Sequence, residues 1–448
     1  MTHVSDAATP RSAVTRALRR VRSARPFART ARPDRLTCVL GDLQVGGVAR
    51  LYTDLLTQLV RDGRVCRIVA PDGPLRDELV ERRIEWEPID WDGPRLNSLR
   101  HLHALLEPGE PTIVVADPRT SHVIASAASR GPVVCAFHTT ADLMDAWLGE
   151  RPMQRLADVV RSLQAARGLE VLTIGEQYRA TYVERFDWDP DAVTVLPPAI
   201  DVEAFPYADP PVDPDLIVCV ARLSPEKHAH VRNAIKLVHA GRATGRDARL
   251  EFYGDGPWRA EAEALCAERL PAGSFTFHGA TRRPAAALRS AGLVVATGLT
   301  ALEAACIGRR VVISRNIPED VLGPVFTTEH FDLLADYAFG GRFLPLTMPV
   351  DEAWDTLDRV RPEDLRAVRE RVLAEHSLPT AARVLADVAD RAAPRPPQQE
   401  LRTAAELAAS LQDELRDSRR VADEIWASRL QLQDELDMLQ AERRSTVE

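Results

Sequence analysis

The sequence predicts an α/β protein with two Rossmann-like units, a basic N-terminal tail and a C-terminal coiled-coil helix. Short apolar runs alternate with helical patterns of roughly 10 to 15 residues, which is typical of parallel βαβ units. A segment with six prolines, residues 197–215, divides this alternation into two similar halves and indicates a linker. Near the C-terminus, apolar residues recur three and four positions apart, as in a coiled coil. We therefore expect domains at 36–203 and 204–392, facing a cleft.

Composition excludes several classes of protein. The chain has 448 residues, 45% of them hydrophobic, so it can bury the cores of two or three domains. Its net charge of −9 argues against nucleic acid as a partner. The six cysteines form no CxxC pair, which predicts reduced, buried thiols. No apolar stretch approaches the ~18 residues that span a membrane, and no signal peptide is visible. We expect a cytoplasmic location.

The N-terminal tail, residues 1–35, carries nine arginines against two acidic residues. Val14, Leu18 and Val21 recur within it at helical spacing. Two interpretations stay open: a disordered tail, or a short basic helix within residues 10–32 that rests on anionic lipid at the inner face of the cell membrane. A mitochondrial transit peptide has a similar composition and is a third alternative.

The first unit should contain parallel strands buried on both faces, because its apolar runs are short and nearly unbroken. Helical patterns, such as those at 48–60 and 121–129, lie between the runs. The predicted strands are residues 36–41, 66–70, 112–117, 132–138, 171–175 and 192–197.

The second unit repeats this alternation after the linker. Its predicted strands are residues 216–220, 249–254, 274–279, 293–297 and 310–314. The helices between them are expected near 226–240, 257–268, 284–290 and 300–307. An amphipathic helix at 378–392 closes the unit, and Pro394, Pro396 and Pro397 follow it.

The C-terminal extension, residues 393–448, contains an apolar seam that runs from Leu401 to Leu439. Charged residues fill most other positions, and Ser418 and Arg429 interrupt the seam. This pattern predicts a coiled coil and a homo-oligomer formed through residues 401–439. The alternative is a single amphipathic helix that folds back onto the body of the protein.

The segment from Ala221 to Lys227 breaks a local rule. After the apolar strand, Ser224 should cap a helix, with Pro225 as its first residue and Lys227 as its third. A cation there opposes the helix dipole, and Arg222 adds more positive charge. A bound anion, most simply a diphosphate, would compensate. The alternative is that Lys227 extends into solvent and Arg222 pairs with a surface carboxylate.

A second candidate segment, Gly298 to Glu303, follows the strand at 293–297. Thr300 and Glu303 have the spacing of a capping box, which would give Glu303 a structural role. Alternatively, a carboxylate at the carboxyl edge of a sheet can accept hydrogen bonds from a ribose diol. Gly298 would let the backbone approach a phosphate. The turn at residues 254–257 (GDGP) indicates only a tight strand-to-helix junction.

The first unit offers two further candidates. Gly46 and Gly47 open the first long helix without fitting the GxGxxG dinucleotide pattern, so they indicate a close approach to a ligand or simply a loop. His138 ends a strand and is either structural or part of a site. We find no metal-ligand spacing, phosphate-binding GKS/T loop or GxSxG elbow.

These motifs, in their order and spacing, resemble the GT-B glycosyltransferases, most closely those of family 4, from about Leu36 to Arg391. The run VARLSPEK closely matches the donor-diphosphate motif of that family. Other segments resemble its glycine loop, its hinge signature, its GDGP turn and its base-binding loop: residues 43–60, 173–204 with Phe205, 254–257 and 278–283.

The resemblance implies transfer of a sugar from a UDP- or GDP-linked donor to a hydroxyl of a cell-envelope glycan, a lipid carrier or a natural product, without a metal or other cofactor. It implies that Arg222 and Lys227, with Gly298 and Thr300, hold the donor diphosphate, and that Glu303 holds the ribose. His138 would lie beside the transferred sugar as the catalytic candidate. Gly46 and Gly47 would contact phosphate or acceptor.

The chain departs from the family at Val295, which stands where family 4 usually has the first glutamate of Glu-x7-Glu. The short segment from Gly298 to Glu303 is more similar to the SGALTxxE form of lipid-linked N-acetylglucosamine transferases. The family implies retention of configuration, but the missing glutamate leaves the stereochemical course open. Two other functions also stay open: a UDP-sugar epimerase on the same fold, and a non-catalytic GT-B protein that recruits a partner enzyme.

Overall fold

The computed structural model describes residues 35–93, 95–117, 120, 124, 127, 130–139, 144, 150–165, 169–208, 213–281, 283–315, 320–341 and 344–392. The basic tail, most of the predicted helix at 121–129 and the predicted coiled coil therefore lie outside the described residues. Within the described residues, the prediction of two α/β units is confirmed.

The first unit is built on a sheet of seven parallel strands in the order β3-β2-β1-β4-β5-β6-β7. All six predicted strands are present, within a few residues at each end, because burial on both faces makes them continuous apolar runs. In chain order, β1 to β7 are Arg35–Val39, Val65–Ala70, Glu85–Pro88, Thr112–Val115, Val133–Phe137, Leu169–Thr173 and Val193–Val195.

The second unit is built on five parallel strands in the order β10-β9-β8-β11-β12. These strands, β8 to β12, are Leu216–Val220, Arg249–Tyr253, Phe275–Gly279, Leu293–Ala296 and Arg310–Ile313. A short antiparallel pair, β13 (Val321–Leu322) and β14 (Met348–Pro349), lies beside the second unit. All five strands predicted for this unit are confirmed.

Helices cover both faces of the sheets, as parallel βαβ units require. The helices of the described residues, α1 to α13, are Gly47–Arg61, Arg76–Glu81, Arg95–Leu105, Glu150–Ala165, Glu176–Phe186, His228–Ala243, Arg259–Arg269, Pro284–Ser290, Leu299–Ile307, Phe331–Asp336, Ala353–Asp358, Pro362–Glu375 and Leu378–Arg391. Short 3-10 turns occupy Pro190–Ala192 and Pro225–Lys227.

The chain crosses between the units twice, at neighbouring places. Ile200 forms a parallel bridge with Ser377, and its backbone N–H donates to the carbonyl of His376 at 3.0 Å. The amide of Leu378 donates in turn to the carbonyl of Ile200 at 3.1 Å. After this second crossing, α13 packs on the first unit and adds Leu385 and Val388 to the core beneath α1. The last helix of the described residues thus belongs physically to the first unit.

The buried side chains include the six cysteines and one ion pair. All six cysteines are free and buried, as predicted. At the amino end of the first sheet, Glu110 is fully buried and accepts hydrogen bonds from Arg67 at 2.5 Å and from the backbone N–H of Glu107 at 2.9 Å, as well as from Thr37. This ion pair lies at the end of the sheet opposite its carboxyl edge and belongs to the packed interior of the first unit. No helix of the described residues is long and apolar enough to cross a membrane.

Candidate functional site

The predicted site residues lie at the carboxyl ends of the two sheets. The strand order reverses between β1 and β4 in the first sheet and between β8 and β11 in the second. Open α/β sheets bind ligands at such reversal points. Gly46 follows β1 and His138 follows β5, while Arg222 follows β8 and Gly298 follows β11.

Gly46 is the N-cap of α1 and Gly47 its first residue, and among the described residues no side chain lies within 4 Å of a Cβ built on either. Gly46 is the N-cap in an extended conformation, with φ −157° and ψ 162°, and no side chain caps the helix. A Cβ built on Gly47 meets no atom within 4 Å, and its φ is not positive. Neither backbone strain nor crowding within the described residues therefore requires glycine here. The first turn also contains no acidic residue, so its N–H groups form an uncompensated positive end.

His138 lies immediately after β5, and Tyr52 of α1 holds its ring. The Tyr52 hydroxyl and His138 Nε2 are 2.9 Å apart, and the two rings meet edge to face. His138 is half-buried as a residue; burial lowers its pKa to about 4, and burial raises the pKa of Tyr52 well above its usual value. Both groups are therefore neutral at pH 7. His138 Nδ1 has no hydrogen-bond partner among the described residues, so it can contact a ligand.

The segment after β8 departs from the predicted helix start. Ser224 is the N-cap of a 3-10 helix in which Pro225 is the first residue and Lys227 the third, as predicted, and this turn continues directly into α6 at His228, so the α-helix itself starts three residues later than expected. The Lys227 amide donates to the Ser224 carbonyl at 2.8 Å, and no hydrogen bond from the Ser224 side chain caps this turn. Lys227 is half-buried and Arg222 is exposed. Both cations still sit at the carboxyl edge of a buried strand.

The turn at residues 254–257 packs closely against the backbone of the Arg222 segment. A Cβ on Gly254 would lie 1.8 Å from the Ala221 carbonyl, and one on Gly256 would lie 2.1 Å from the Leu223 carbonyl. The Leu223 amide donates to the Asp255 carbonyl at 3.0 Å. These glycines are therefore required by close packing, which fixes the backbone on both sides of Arg222.

The helix after β11 begins two residues earlier than a capping box at Thr300 would require, because its N-cap is Gly298. Gly298 is the N-cap of α9 with φ +59° and ψ −132°, a conformation open to glycine. The structural interpretation of Glu303 as a capping residue is therefore wrong. The Gly298 amide donates to the Phe339 carbonyl at 2.8 Å, whereas the amides of Leu299 and Thr300 have no acceptor among the described residues. The Thr300 hydroxyl lies 3.5 Å from the Val220 carbonyl, which ties α9 to β8.

Glu303 is a buried carboxylic acid between the two units. It is 5% exposed, and its carboxyl has no hydrogen-bond partner among the described residues. Burial raises its pKa to about 7; Arg50 of α1 acts in the opposite direction, and Asp54 adds to the rise. This carboxyl therefore titrates close to neutral pH, and a carboxyl shifted this far by burial in a cleft is a candidate for a functional site.

An interdomain cavity of ≈ 240 Å³ lies beside Glu303. Arg50, Asp54 and Arg82 line its first-unit side, and Asp201 lines it from the hinge. Asp54 accepts a hydrogen bond from Arg82 and lies 3.7 Å from Arg50, and burial raises its pKa. The cavity brings α1 and α9 together, so the carboxyl edges of the two sheets face a common cleft.

Val295 is fully buried inside β11, in the core beneath α6. Val295 therefore belongs to the core of the second unit and not to the lining of the interdomain cavity. The described residues contain no group of three His, Cys, Asp or Glu side chains able to hold a metal ion.

Sequence reasoning missed three residues of this region, namely Tyr52, Arg50 and Asp54. All three lie on α1, and their roles depend on partners more than 80 residues away or in the other unit. The one local signal was the spacing of Arg50 and Asp54, four residues apart as an ion pair on a helix surface.

Two Rossmann-like units that face each other across a hinged cleft, with cations and a carboxyl group at their carboxyl edges, define a protein of the GT-B class. The profile described as Glycosyltransferase Family 4 matches residues 45–204, and that of Glycosyl transferases group 1 matches residues 203–321. The chain belongs to the GT-B glycosyltransferases of the family 4-like group.

Solved structures share this fold at low sequence identity. A glycosyltransferase from Rickettsia africae superposes with a TM-score of 0.58 at 14% identity, covering 80% of this chain and 97% of that one. Anabaena HepE in complex with UDP-glucose gives 0.58 at 13%, covering 80% and 99%. A mutant of Staphylococcus aureus TarM, in complex with fondaparinux, α-GlcNAc-glycerol and UDP, gives 0.57 at 11%, covering 80% and 99%. A comparison with curated proteins finds no match.

Proposed function

We propose that this protein transfers a sugar from a UDP- or GDP-linked donor to an acceptor hydroxyl. The observation that carries the proposal is the pairing of two features at adjacent strands of the second sheet. The cations Arg222 and Lys227 follow β8, and the buried carboxyl of Glu303 lies on the helix after β11. A nucleoside diphosphate presents the matching groups, two phosphates and a ribose diol.

The donor diphosphate is proposed to bind between Arg222, Lys227 and the start of α9. Arginine offers a planar pair of donors, and lysine a compact charge, to phosphate oxygens. The open amides of Leu299 and Thr300 add a helix N-terminus that favours an anion, and the Gly298 turn leaves room for its approach. Glu303 would accept hydrogen bonds from the ribose hydroxyls in its ionised form.

The transferred sugar and the acceptor are proposed to lie against the first unit. The uncovered glycines Gly46 and Gly47 leave space for a phosphate or acceptor group at the N-terminus of α1. The neutral imidazole of His138, oriented by Tyr52, would hydrogen-bond a sugar hydroxyl through Nδ1. The low pKa of His138 suits a hydrogen-bonding role better than storage of a proton at pH 7.

In the proposed step, the acceptor oxygen forms a bond to the anomeric carbon while the bond from that carbon to the β-phosphate oxygen breaks. The electron pair leaves with the nucleoside diphosphate, and the acceptor proton passes to the departing phosphate or to water. Arg222, Lys227 and the start of α9 stabilise the developing negative charge, so the proposal requires no metal.

The stereochemical outcome is proposed to be retention, on family resemblance alone. The acceptor is proposed to be a glycan, a lipid carrier or a natural product, with a cell-envelope glycan as the first choice. Two observations on neighbouring proteins support a nucleotide-sugar donor and a glycan acceptor: HepE was crystallised with UDP-glucose, and the TarM mutant with fondaparinux and α-GlcNAc-glycerol.

The test is a binding screen of UDP-, GDP-, ADP- and TDP-sugars by calorimetry, followed by release of the nucleoside diphosphate with candidate acceptors. We expect one nucleotide family to bind, and Arg222→Ala and Lys227→Ala each to weaken binding by about 1.5–3 kcal/mol, the range for charge-assisted hydrogen bonds. Unchanged affinity in both variants would refute the diphosphate assignment. Binding without turnover would favour a non-catalytic protein, and acceptor-independent sugar interconversion would favour an epimerase.

We further propose a homo-oligomer formed through residues 401–439 and contact of residues 10–32 with anionic lipid at the cytoplasmic membrane face, both from sequence pattern alone. Light scattering of the full chain and of a chain ending at 392 tests the first proposal, which a monomeric full chain would refute. Sedimentation with anionic vesicles, with and without residues 1–34, tests the second. Equal sedimentation of both chains would refute it.

A further inference from the structure

Two strained residues lie at the end of α10, in residues 336–340, a segment that we call the α10 turn. Four non-glycine residues of the described chain have a positive φ, and two of them, Ala338 at 53° and Phe339 at 55°, are consecutive here. The left-handed conformation brings the Cβ close to the following carbonyl oxygen, so it is unfavourable for alanine and more so for a bulky side chain. Such strain persists only where surrounding contacts hold it, and it is concentrated at functional sites.

The core of the second unit holds Phe339 in this conformation. The side chain is fully buried, and its ring packs against Phe326 and Phe331 with centroid distances of 5.2 and 5.8 Å. The Phe339 amide donates to the Leu334 carbonyl at 2.7 Å. Both the backbone and the ring of Phe339 are therefore fixed.

Phe339 also contacts the hinge between the units. The buried ring of His376 meets the Phe339 ring edge to face at 4.9 Å. His376 precedes Ser377 in the second crossing, and its Nδ1 donates to the carbonyl of Pro198, in the first crossing, at 2.8 Å. One imidazole thus joins Phe339 to both segments that cross between the units.

The outer side of the α10 turn fits closely against the first unit. Gly175, the buried N-cap of α5, has an extended backbone with φ −168°, which any residue can adopt. A Cβ built on Gly175 would lie 2.3 Å from the Asp336 carbonyl oxygen and 3.2 Å from that of Ala335. The Tyr178 hydroxyl, also on α5, donates to the Tyr337 carbonyl at 3.5 Å. Glycine is therefore required at position 175 by contact with the other unit and not by its own backbone.

The inner side of the α10 turn reaches the proposed donor site. The Phe339 carbonyl accepts a hydrogen bond from the Gly298 amide at 2.8 Å. Gly298 is the N-cap of α9, so this hydrogen bond fixes the residue at which the helix starts. It thereby also fixes the direction of the amides of Leu299 and Thr300, which follow Gly298.

We propose that Phe339 is a positioning residue for the donor site, which holds the start of α9 through its carbonyl while the first unit and the hinge hold its turn. This inference rests on the proposed binding of the donor diphosphate at the start of α9. N–H groups that are already fixed bind an anion more tightly than mobile ones, because less conformational freedom is lost on binding. The contact at Gly175 therefore contributes to donor affinity, although Gly175 belongs to the other unit. The alternative is that the α10 turn only packs the hinge.

The test inserts a methyl group between the units with Gly175→Ala. We expect the α10 turn to be displaced and the affinity for UDP or GDP, whichever the natural protein binds, to fall about 5-fold or more in calorimetry, the lower end of typical coupling between sites. Hydrogen exchange of residues 298–302 should become faster in the free protein, because the Gly298 amide is protected by Phe339, and the Ala301 and Leu302 amides by the Gly298 carbonyl. Phe339→Leu stays apolar but lacks the ring that contacts His376, and it should have the same two effects.

Ala180→Gly is the matched control. Ala180 is an exposed residue of α5, so its substitution destabilises the same helix without adding a group between the units. This variant should have a lower melting temperature, with unchanged nucleotide affinity and unchanged exchange of residues 298–302. Melting curves of all three variants show whether each one folds, and Phe339→Leu keeps the test decisive if Gly175→Ala does not fold.

Unchanged exchange of residues 298–302 in both Gly175→Ala and Phe339→Leu would overturn the proposal, whether or not a nucleotide binds. Faster exchange with unchanged affinity would also overturn it, because the α10 turn would then be structural only. An effect of Phe339→Leu alone, with a larger radius of gyration of Gly175→Ala in small-angle scattering, would show that the units separate and that the first unit does not act on the turn. If the natural protein binds neither nucleotide, the proposed function fails instead, and the exchange measurement still decides whether the turn holds α9.

Discussion

Replacing Glu303 with glutamine should stabilise the protein and weaken donor binding at the same time. The buried carboxyl keeps its proton until about pH 7, whereas in the unfolded chain it would release the proton near its ordinary value of 4.5. Between these two values the folded state binds more protons than the unfolded state. The free energy of unfolding therefore falls as pH rises from 4.5 to 7, and the loss is complete above 7.

The size of the effect follows from the pKa difference. One pKa unit corresponds to about 1.4 kcal/mol, so a rise from 4.5 to about 7 corresponds to at most roughly 3.5 kcal/mol. Glu303→Gln cannot ionise and removes this cost. We expect the variant to be more stable than the natural protein by up to that amount at pH 8, and nearly equal to it at pH 4.5.

Two assays test this prediction. Urea unfolding at pH 4.5, 6 and 8 gives the difference in stability as a function of pH, and calorimetry at pH 8 gives donor affinity. If the ionised carboxylate binds the ribose, we expect a 10- to 100-fold loss of affinity, corresponding to about 1.5–3 kcal/mol. In the natural protein, donor affinity should fall as pH drops below 7, because protonation removes the acceptor charge.

Glu203→Gln is the matched control, because Glu203 is an exposed acid of the same hinge region. It should change neither stability nor affinity. If Glu303→Gln is no more stable than the natural protein at pH 8, the carboxyl is not desolvated as described. If stability rises but affinity is unchanged, Glu303 is buried for another reason and the ribose assignment fails.

Three further substitutions test other parts of the site and fold. Gly47→Ala should raise stability by up to about 1 kcal/mol in urea unfolding, because alanine suits the open first turn, yet lower transfer activity; full activity would show that no ligand approaches there. Tyr52→Phe should cost about 1 kcal/mol and slow transfer roughly 10-fold without changing affinity for the nucleoside diphosphate, which carries no sugar; an equal loss of that affinity would contradict a role in orienting His138. Glu110→Ala leaves Arg67 buried without its carboxylate and should destabilise the first unit by about 3–5 kcal/mol, with donor affinity of the folded protein as the unaffected control.

The strands were predictable because parallel strands that are buried on both faces appear in the sequence as short, nearly unbroken apolar runs. The strand that sequence reasoning missed, β3, explains the limit. Its sequence, Glu85–Pro88, alternates charged and apolar residues and is only partly buried, because it pairs on one side only at the edge of the sheet. Sequence reasoning also missed α3, although its Leu99 and Leu102 pack on the core of the first unit, because polar and basic residues fill most of its other positions.

The site was predictable in position and less so in local geometry. Residues at strand ends were assigned correctly to the carboxyl edges, because parallel topology fixes that placement. Ser224 is an N-cap as predicted, although of a 3-10 turn and without a side-chain cap hydrogen bond, whereas the predicted cap at Thr300 was wrong. At Ser224 a 3-10 turn intervenes before α6, and at Gly298 a positive φ starts α9 two residues before Thr300. Capping rules use only the local sequence, whereas each of these helix starts also has a backbone hydrogen bond to a distant residue. The Leu223 amide donates to the Asp255 carbonyl, and the Gly298 amide donates to the Phe339 carbonyl.

The double crossing between the units has a consequence for how substrates enter. Two chain segments held side by side, through Ile200 and Ser377, resist twisting and shear more than a single flexible linker would. A hinge rotation about an axis that passes through both segments preserves the hydrogen bonds between them. Opening about that axis separates Glu303 from Arg50, whereas the Gly254 turn and the Arg222 segment move as one piece. Entry of the donor would then first change the environment of the Glu303 carboxyl.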